Sequence, residues 1–162
     1  METQDALVIG GGQSGLAAAL ALRASGAEPV VLEAAARPGG SWPRYYDSLN
    51  LFSPARYSGL PGLPFPGDPD RYPRRDEVTA YLRDSAARLD AEIRTTSRAT
   101  AVTADGPFLV VRLDSGQELR ARAVIAATGS FSNPHVPSLV PPSYRQSACP
   151  LGTASARPTA SG

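Results

Sequence analysis

The stretch ALVIGGGQSGLAAAL, residues 6–20, decides how the chain folds. An apolar run over Ala6–Ile9 ends in three consecutive glycines, and an alanine- and leucine-rich helical pattern follows from Gln13 to Ser25. An unbroken apolar run of this kind is typical of a strand that is buried on both faces of a parallel sheet. A second apolar run over Pro29–Leu32 completes a β-α-β unit of ordinary length. This order predicts a right-handed crossover between two parallel strands.

The glycines between the first strand and the helix follow the pattern Gly10-x-Gly12-x-x-Gly15. In a strand-turn-helix context, this spacing is the fingerprint of a dinucleotide site. The first glycine makes the tight turn, the second lets a pyrophosphate approach the backbone, and the third lets helix and strand pack closely. Gln13 and Ser14 open the helix, whose free N–H groups and positive dipole end would face the phosphates.

Glu33 ends the second predicted strand, eighteen positions after Gly15. A carboxylate there can accept hydrogen bonds from a ribose hydroxyl and would repel a 2′-phosphate, which leaves NAD and FAD as candidates. A glycine-rich turn that binds no ligand is the alternative, because the glycine spacing alone is a weak signal.

The next segment is Arg37-Pro38-Gly39-Gly40-Ser41-Trp42. Its two glycines suit a second close approach of backbone to nucleotide, and Arg37 can pair with a phosphate. A plain NAD domain does not need this loop, so the segment favours FAD. An ordinary turn is the alternative, because Pro-Gly-Gly is common in turns.

The rest of the chain predicts a mixed sheet. Residues 34–75 form a long, ordered loop rich in proline and aromatic residues, and a helix runs from Asp76 to about Leu89. Four further strands are predicted at Ala99–Thr103, Phe108–Leu113, Glu118–Arg122 and Val124–Ala127. Turn-rich gaps make the first three an antiparallel β-meander. We therefore expect an α/β, Rossmann-like FAD-binding domain over residues 1–139 and a disordered or irregular tail over residues 140–162.

Several longer motifs resemble the FAD-binding half of the flavin-containing monooxygenase family, which includes the Baeyer–Villiger monooxygenases. They lie between residues 7 and 137 and read VIGGGQSG, VVLEAAARPGGSW, YYDSLNLFSPARYSGLPGLPFPGD, YPRRDEVTAYL and VIAATGSFSNPHVP. The resemblance implies an FAD-dependent oxidoreductase that uses NADPH and oxygen. It also implies FAD contacts by Gly10, Gly12, Gly15, Glu33, Gly40, Ser41, Trp42, Thr128 and Gly129.

The chain departs from this family in one important respect. A complete member carries a second glycine fingerprint for NADPH, and this sequence has none. The histidine-bearing signature of the Baeyer–Villiger members is also missing, and the family pattern stops near Leu139. We therefore expect a truncated form without the NADPH site. A non-catalytic dinucleotide-binding fragment and an NAD-dependent dehydrogenase are the alternatives, and neither the substrate nor any catalytic residue can be assigned.

Composition excludes several other classes of function. The formal net charge is +1 and the basic residues are arginines spread along the chain, which does not favour nucleic-acid or membrane partners. Lysine is missing, so the chain has no P-loop and no Schiff base. The single cysteine, Cys149, cannot form an internal disulfide, and we expect a cytoplasmic protein. His135 is expected in a surface loop. Asp68, Asp70 and Asp76 suit turns and a helix start better than a metal site.

Overall fold

The computed structural model describes residues 3–130 of this chain. The main elements are β1 (Thr3–Ile9), α1 (Gln13–Ala24), β2 (Pro29–Leu32), α2 (Arg75–Arg88), β3 (Glu92–Arg94), β4 (Ala99–Asp105), β5 (Phe108–Leu113) and β6 (Glu118–Ala126). Two short 3-10 helices, Trp42–Arg44 and Ala55–Tyr57, lie in the long loop between β2 and α2. The predicted tail over residues 140–162, together with His135 and Cys149, lies outside the described residues.

The strands form one sheet in the order β3-β2-β1-β6-β5-β4. The first four strands of this order pair in parallel, and β5 and β4 continue the sheet in antiparallel fashion. The sequence prediction of a Rossmann-like α/β fold with an antiparallel meander is confirmed. The carboxyl ends of β2, β1 and β6 therefore lie side by side at one edge, where sheets of this kind bind ligands.

Each face of the parallel strands packs against its own hydrophobic core. Val8 and Leu7 are neighbours on β1, point to opposite faces and are both fully buried. On the face of Val8, residues of α1 and α2 such as Leu16 and Leu82 complete the core. On the face of Leu7, the core is completed by residues of the meander, including Val111. Burial on both faces explains why β1 reads as an unbroken apolar run.

The structure corrects the strand prediction in two places. The strands predicted at Glu118–Arg122 and Val124–Ala127 are one continuous strand, β6. No turn residue separates the two halves, and β6 is bonded to β1 on one side while its first half is bonded to β5 on the other. β3 was not predicted, because three residues with one apolar side chain give no periodic signal. β3 becomes a strand because it pairs with β2.

Candidate dinucleotide-binding site

The glycine turn lies at the carboxyl ends of three neighbouring strands. The N–H of Gly10 donates to the carbonyl of Leu32 on β2 at 2.8 Å, and the N–H of Ala127, which follows β6, donates to the carbonyl of Ile9 at 2.9 Å. A Cβ at Gly15 would lie 1.8 Å from the carbonyl oxygen of Gly10, so α1 and the turn are in direct backbone contact. The third glycine of the fingerprint therefore has the packing role that the sequence predicts.

The N-terminus of α1 opens toward this edge of the sheet. Gly12 is the N-cap residue and makes no side-chain capping bond, and the first turn of this described helix holds no acidic residue. The first backbone N–H groups of a helix have no partner inside the helix. With the positive end of the helix dipole, they form a site for an anion such as a pyrophosphate.

The carboxylate of Glu33 is held beside the turn by two backbone donors. Its Oε2 accepts a hydrogen bond from the N–H of Gly11 at 2.7 Å, and its Oε1 accepts one from the N–H of Ala35 at 2.7 Å. The residue is 7% exposed, so the carboxylate is fixed between the end of β2 and the glycine turn. A carboxylate oxygen can accept more than one hydrogen bond, so acceptor capacity is left for a ligand hydroxyl.

The loop after β2 closes over the glycine turn. The N–H of Gly39 donates to the carbonyl of Gly11 at 2.9 Å. A Cβ at Gly40 would lie 2.9 Å from the Cα of Gly12, and Gly40 has a φ of +61°, a conformation that favours glycine. The two glycine segments that the sequence identified therefore meet backbone to backbone.

An aromatic wall follows this contact. The rings of Trp42 and Tyr45 meet edge to face with centroids 5.3 Å apart. The hydroxyl of Ser41 donates to the hydroxyl oxygen of Tyr45 at 3.1 Å. We use the term "aromatic wall" for Trp42 and Tyr45, which line the site together with Ser41.

These segments enclose a cavity of about 540 Å³. This volume lies within the range of small-molecule sites. The predicted cofactor-binding residues that line the cavity are Gly10, Gly12, Gln13, Ser14, Glu33, Gly40, Ser41, Trp42, Thr128 and Gly129. Gly15 lies buried beneath the turn, and Arg37 is exposed away from the cavity. The pairing of Arg37 with a phosphate stays a prediction.

Sequence reasoning missed part of the lining. Arg44 and Tyr45 follow the predicted glycine loop directly and could have been found from their position next to Trp42. The segment Ser97–Ala99 has no local motif, and it reaches the cavity only because β3 pairs with β2. The N–H of Ser97 then donates to the carbonyl of Glu33 at 2.9 Å. Of these residues, Arg44 and Arg98 bring positive charge to the rim.

The start of α2 anchors the long loop that carries the aromatic wall. A carboxylate oxygen of Glu77 accepts a hydrogen bond from the N–H of Arg74 at 2.8 Å, and the other accepts one from Arg71 at 2.7 Å. The backbone donor of Arg74 is the main cause that lowers the pKa of Glu77, the Arg71 guanidinium adds to it, and partial burial opposes both. Farther along α2, the hydroxyl of Tyr81 accepts from the N–H of Leu60 and donates to the carbonyl of Leu63.

The described part of the chain shows neither a metal-binding cluster nor a membrane-spanning helix. Within residues 3–130, no group of three or more His, Cys, Asp and Glu side chains is placed to hold a metal ion. No helix in this part is both long enough and apolar enough to cross a membrane.

The chain is similar in sequence to several known proteins. Residues 7–148 match the sequence profile of the pyridine nucleotide-disulphide oxidoreductase family. The chain is 40% identical over 136 residues to indole-3-pyruvate monooxygenase YUCCA1 of Oryza sativa subsp. japonica; the match covers 82% of this chain and 33% of that protein. It is 35% identical over 133 residues to a CzcO-like uncharacterized oxidoreductase of Geobacillus kaustophilus (strain HTA426), covering 82% of this chain and 38% of that one.

A solved structure shows the same fold. The flavin-containing monooxygenase from Stenotrophomonas maltophilia superimposes with a TM-score of 0.81 and 43% sequence identity, covering 85% of this chain and 42% of that chain. The present chain thus spans less than half the length of the relatives that it matches. The chain belongs to the pyridine nucleotide-disulphide oxidoreductase family, and within that family it resembles the flavin-containing monooxygenases, as its motifs predict.

Proposed function

We propose that this chain is the FAD-binding part of an FAD-dependent oxidoreductase of the flavin-containing monooxygenase type, and that the cavity at the carboxyl ends of β2, β1 and β6 is the FAD site. The observation that carries the proposal is the meeting of the two glycine segments. The backbone of Gly12 at the uncapped start of α1 lies against that of Gly40, and within residues 3–130 a Cβ at either glycine would meet only the backbone of the other. The FAD-binding domain is proposed to extend over residues 1–139.

The residues in the cavity fit FAD. The N-terminus of α1 suits the pyrophosphate, and the fixed carboxylate of Glu33 suits a ribose hydroxyl. The lining continues from Glu33 past Gly12 and Gly40 to the aromatic wall. FAD carries a large aromatic ring system that can occupy this second part of the cavity, whereas the ring of NAD is smaller. The cavity therefore favours FAD over NAD.

The chemistry of the proposed reaction comes from the cofactor. A bound flavin supplies electron transfer between a reduced nicotinamide and oxygen or another acceptor. The residues of this chain bind and orient the cofactor. The α1 N-terminus holds its negative charge, Glu33 fixes one end, and the aromatic wall shields the other from water. We also propose that the protein acts in the cytoplasm, since a single cysteine gives no sign of disulfide chemistry.

Titration of the purified chain with FAD and with NAD tests this proposal. We expect FAD to bind more tightly and to acquire the structured absorbance band of a protein-bound flavin. Gly12→Val should abolish binding, because the side chain occupies the space of the pyrophosphate. The φ of −83° at Gly12 is accessible to valine, and circular dichroism checks that the variant folds, since its Cβ would lie 3.4 Å from the Cα of Gly40. Ala21→Val, which changes an exposed residue of the same helix, is the matched control and should bind as the original chain does.

Three outcomes would contradict the proposal. Tighter binding of NAD than of FAD would favour a dehydrogenase, and binding of neither would mean that the cavity is not a dinucleotide site. Unchanged FAD affinity in Gly12→Val would remove the glycine turn from the site. Because the sequence carries a single glycine fingerprint, we expect no sustained NADPH consumption by the FAD-loaded chain. Saturable consumption that disappears in Gly12→Val would instead identify a complete small reductase.

A further inference from the structure

Arg75 lies at a position where the positive charge of an arginine is unfavourable. It is the first residue of α2, and its side chain is only 14% exposed. The N-terminus of a helix carries partial positive charge, so a cation there is electrostatically unfavourable. Burial of the guanidinium adds a desolvation cost unless its donors are paired. The contacts of Arg75 must therefore offset both effects.

Those contacts join α2 to the loop that carries the aromatic wall. The Nη1 of Arg75 donates to the carbonyl oxygen of Tyr45 at 2.5 Å. Its Nη2 lies 2.9 Å from the carboxylate of Asp47, and its Nε donates to Asp76 at 2.9 Å. The backbone N–H of Arg75 also donates to the carbonyl of Leu49 at 2.9 Å. A single residue thus holds the loop at three points between residues 45 and 49.

The first of these points belongs to the cavity lining. Tyr45 packs edge to face against Trp42 and accepts a hydrogen bond from Ser41, and all three residues line the cavity. The side chain of Asp47, by contrast, is 95% exposed, so this ion pair is screened by water. The bond to the Tyr45 carbonyl is therefore the contact that bears on the site.

We propose that Arg75 is a positioning residue for the FAD site, acting through the backbone of Tyr45 to hold the aromatic wall in place. This inference rests on the proposed function. The half of FAD that is common to ADP is assigned to the glycine turn and Glu33, and the wall lies on the part of the cavity beyond them. Loss of Arg75 therefore weakens FAD binding more than ADP binding.

The test uses Arg75→Gln, the milder Arg75→Lys, and Arg71→Gln as the matched control. Arg71 also stabilises the start of α2, through Glu77, but it contacts no residue of the aromatic wall. The readouts are the dissociation constants of FAD and of ADP, the melting temperature, and acrylamide quenching of tryptophan fluorescence without ligand. Trp42 is the single tryptophan of the chain, so quenching reports on the wall directly.

We expect Arg75→Gln to weaken FAD binding about tenfold, as for the loss of a hydrogen bond to a charged group. ADP binding should change by less than about twofold, and quenching of Trp42 should rise. Arg75→Lys, which keeps the positive charge but loses the planar fork of donors that reaches several acceptors at once, should give an intermediate result. Arg71→Gln should lower the melting temperature with no change in the FAD to ADP ratio or in quenching.

Equal loss of FAD and ADP affinity, or unchanged quenching of Trp42 in folded Arg75 variants, would overturn the inference and leave Arg75 with a purely structural role. If Arg75→Gln does not fold, the same measurements on Arg75→Lys decide. Failure of the proposed function is distinguishable, because the unchanged chain would then bind no FAD. The quenching measurement would still show whether Arg75 positions the wall.

Discussion

The two sides of the cavity are built by different means. The glycine turn is made by the main chain: backbone atoms of Gly10 and Gly15 touch, and the only side chain that holds the turn by a hydrogen bond in the described part of the chain is that of Glu33. Beyond its backbone contact at Gly39 and Gly40, the facing loop between β2 and α2 is held by side chains of α2, including those of Arg75 and Tyr81. A site wall made of backbone is specified by a local motif. A wall held by distant side chains depends on the packing of the whole domain.

The sharpest test of the backbone-built side is Gly15→Ala. The new methyl group would lie 1.8 Å from the carbonyl oxygen of Gly10, which is part of the turn and cannot move freely. We expect the free energy of unfolding to fall by about 3 kcal/mol or more, at the upper end for overpacking. Denaturant unfolding followed by circular dichroism measures this. Gly12→Ala is the matched control, since its methyl group meets the Cα of Gly40 at an ordinary 3.4 Å. Equal stability of the two variants would contradict the backbone contact.

Glu33→Gln tests the one side chain on which the turn relies. The N–H groups of Gly11 and Ala35 donate to different oxygens of the carboxylate, and glutamine replaces one of these oxygens with an NH2 group that cannot accept. We expect the variant to lose about 1–3 kcal/mol in unfolding free energy, with FAD affinity weakened by a similar amount. Glu28→Gln, at a glutamate whose side chain is 84% exposed, is the control for charge removal. An unchanged FAD dissociation constant would place the ribose elsewhere.

Tyr81→Phe tests the side-chain-held loop. Tyr81 is 8% exposed, and its hydroxyl accepts a hydrogen bond from the N–H of Leu60 and donates one to the carbonyl of Leu63. Phenylalanine has no hydroxyl, so both backbone groups lose this partner. We expect a loss of about 1–2 kcal/mol in unfolding free energy, as for buried hydrogen bonds. Tyr57→Phe, at a residue that is 76% exposed, should change nothing measurable by thermal melting. If both variants melt alike, the hydroxyl of Tyr81 does not hold the loop.

The smallest expected effect is a loss of stability at low pH. The pKa of Glu77 is lowered in the folded chain below its ordinary value of 4.5, first because of the N–H of Arg74. The unfolded chain then binds more protons, so this stabilisation is present above about pH 4.5 and is lost as the pH falls through the lower, folded pKa. The Glu77 side chain is 41% exposed, so its contribution is at most about 1 kcal/mol. The difference in melting temperature between the chain and Glu77→Gln should shrink between pH 6 and pH 3; a constant difference would contradict the linkage.

The sequence predicted the parts of this molecule whose signals are local. The buried strands, the glycine turn, the carboxylate that follows β2 and the meander could all be predicted, because apolar runs, glycine spacing and turn residues act over a few positions. The same holds for the second glycine segment around Gly40. The sequence did not predict that Glu33 is bonded to Gly11, since the bond joins two residues that follow different strands.

The sequence by itself determined the fold class and the edge of the sheet at which the cavity lies, since glycine turns and apolar runs leave the backbone few alternatives. Only the tertiary structure decided which further residues reach the cavity. The pairing of β3 with β2 brings Ser97–Ala99 to it, and α2 places Arg75 against the backbone of Tyr45. The physical reason is that these contacts join segments about 30 or more residues apart, and their geometry exists only after both cores have packed.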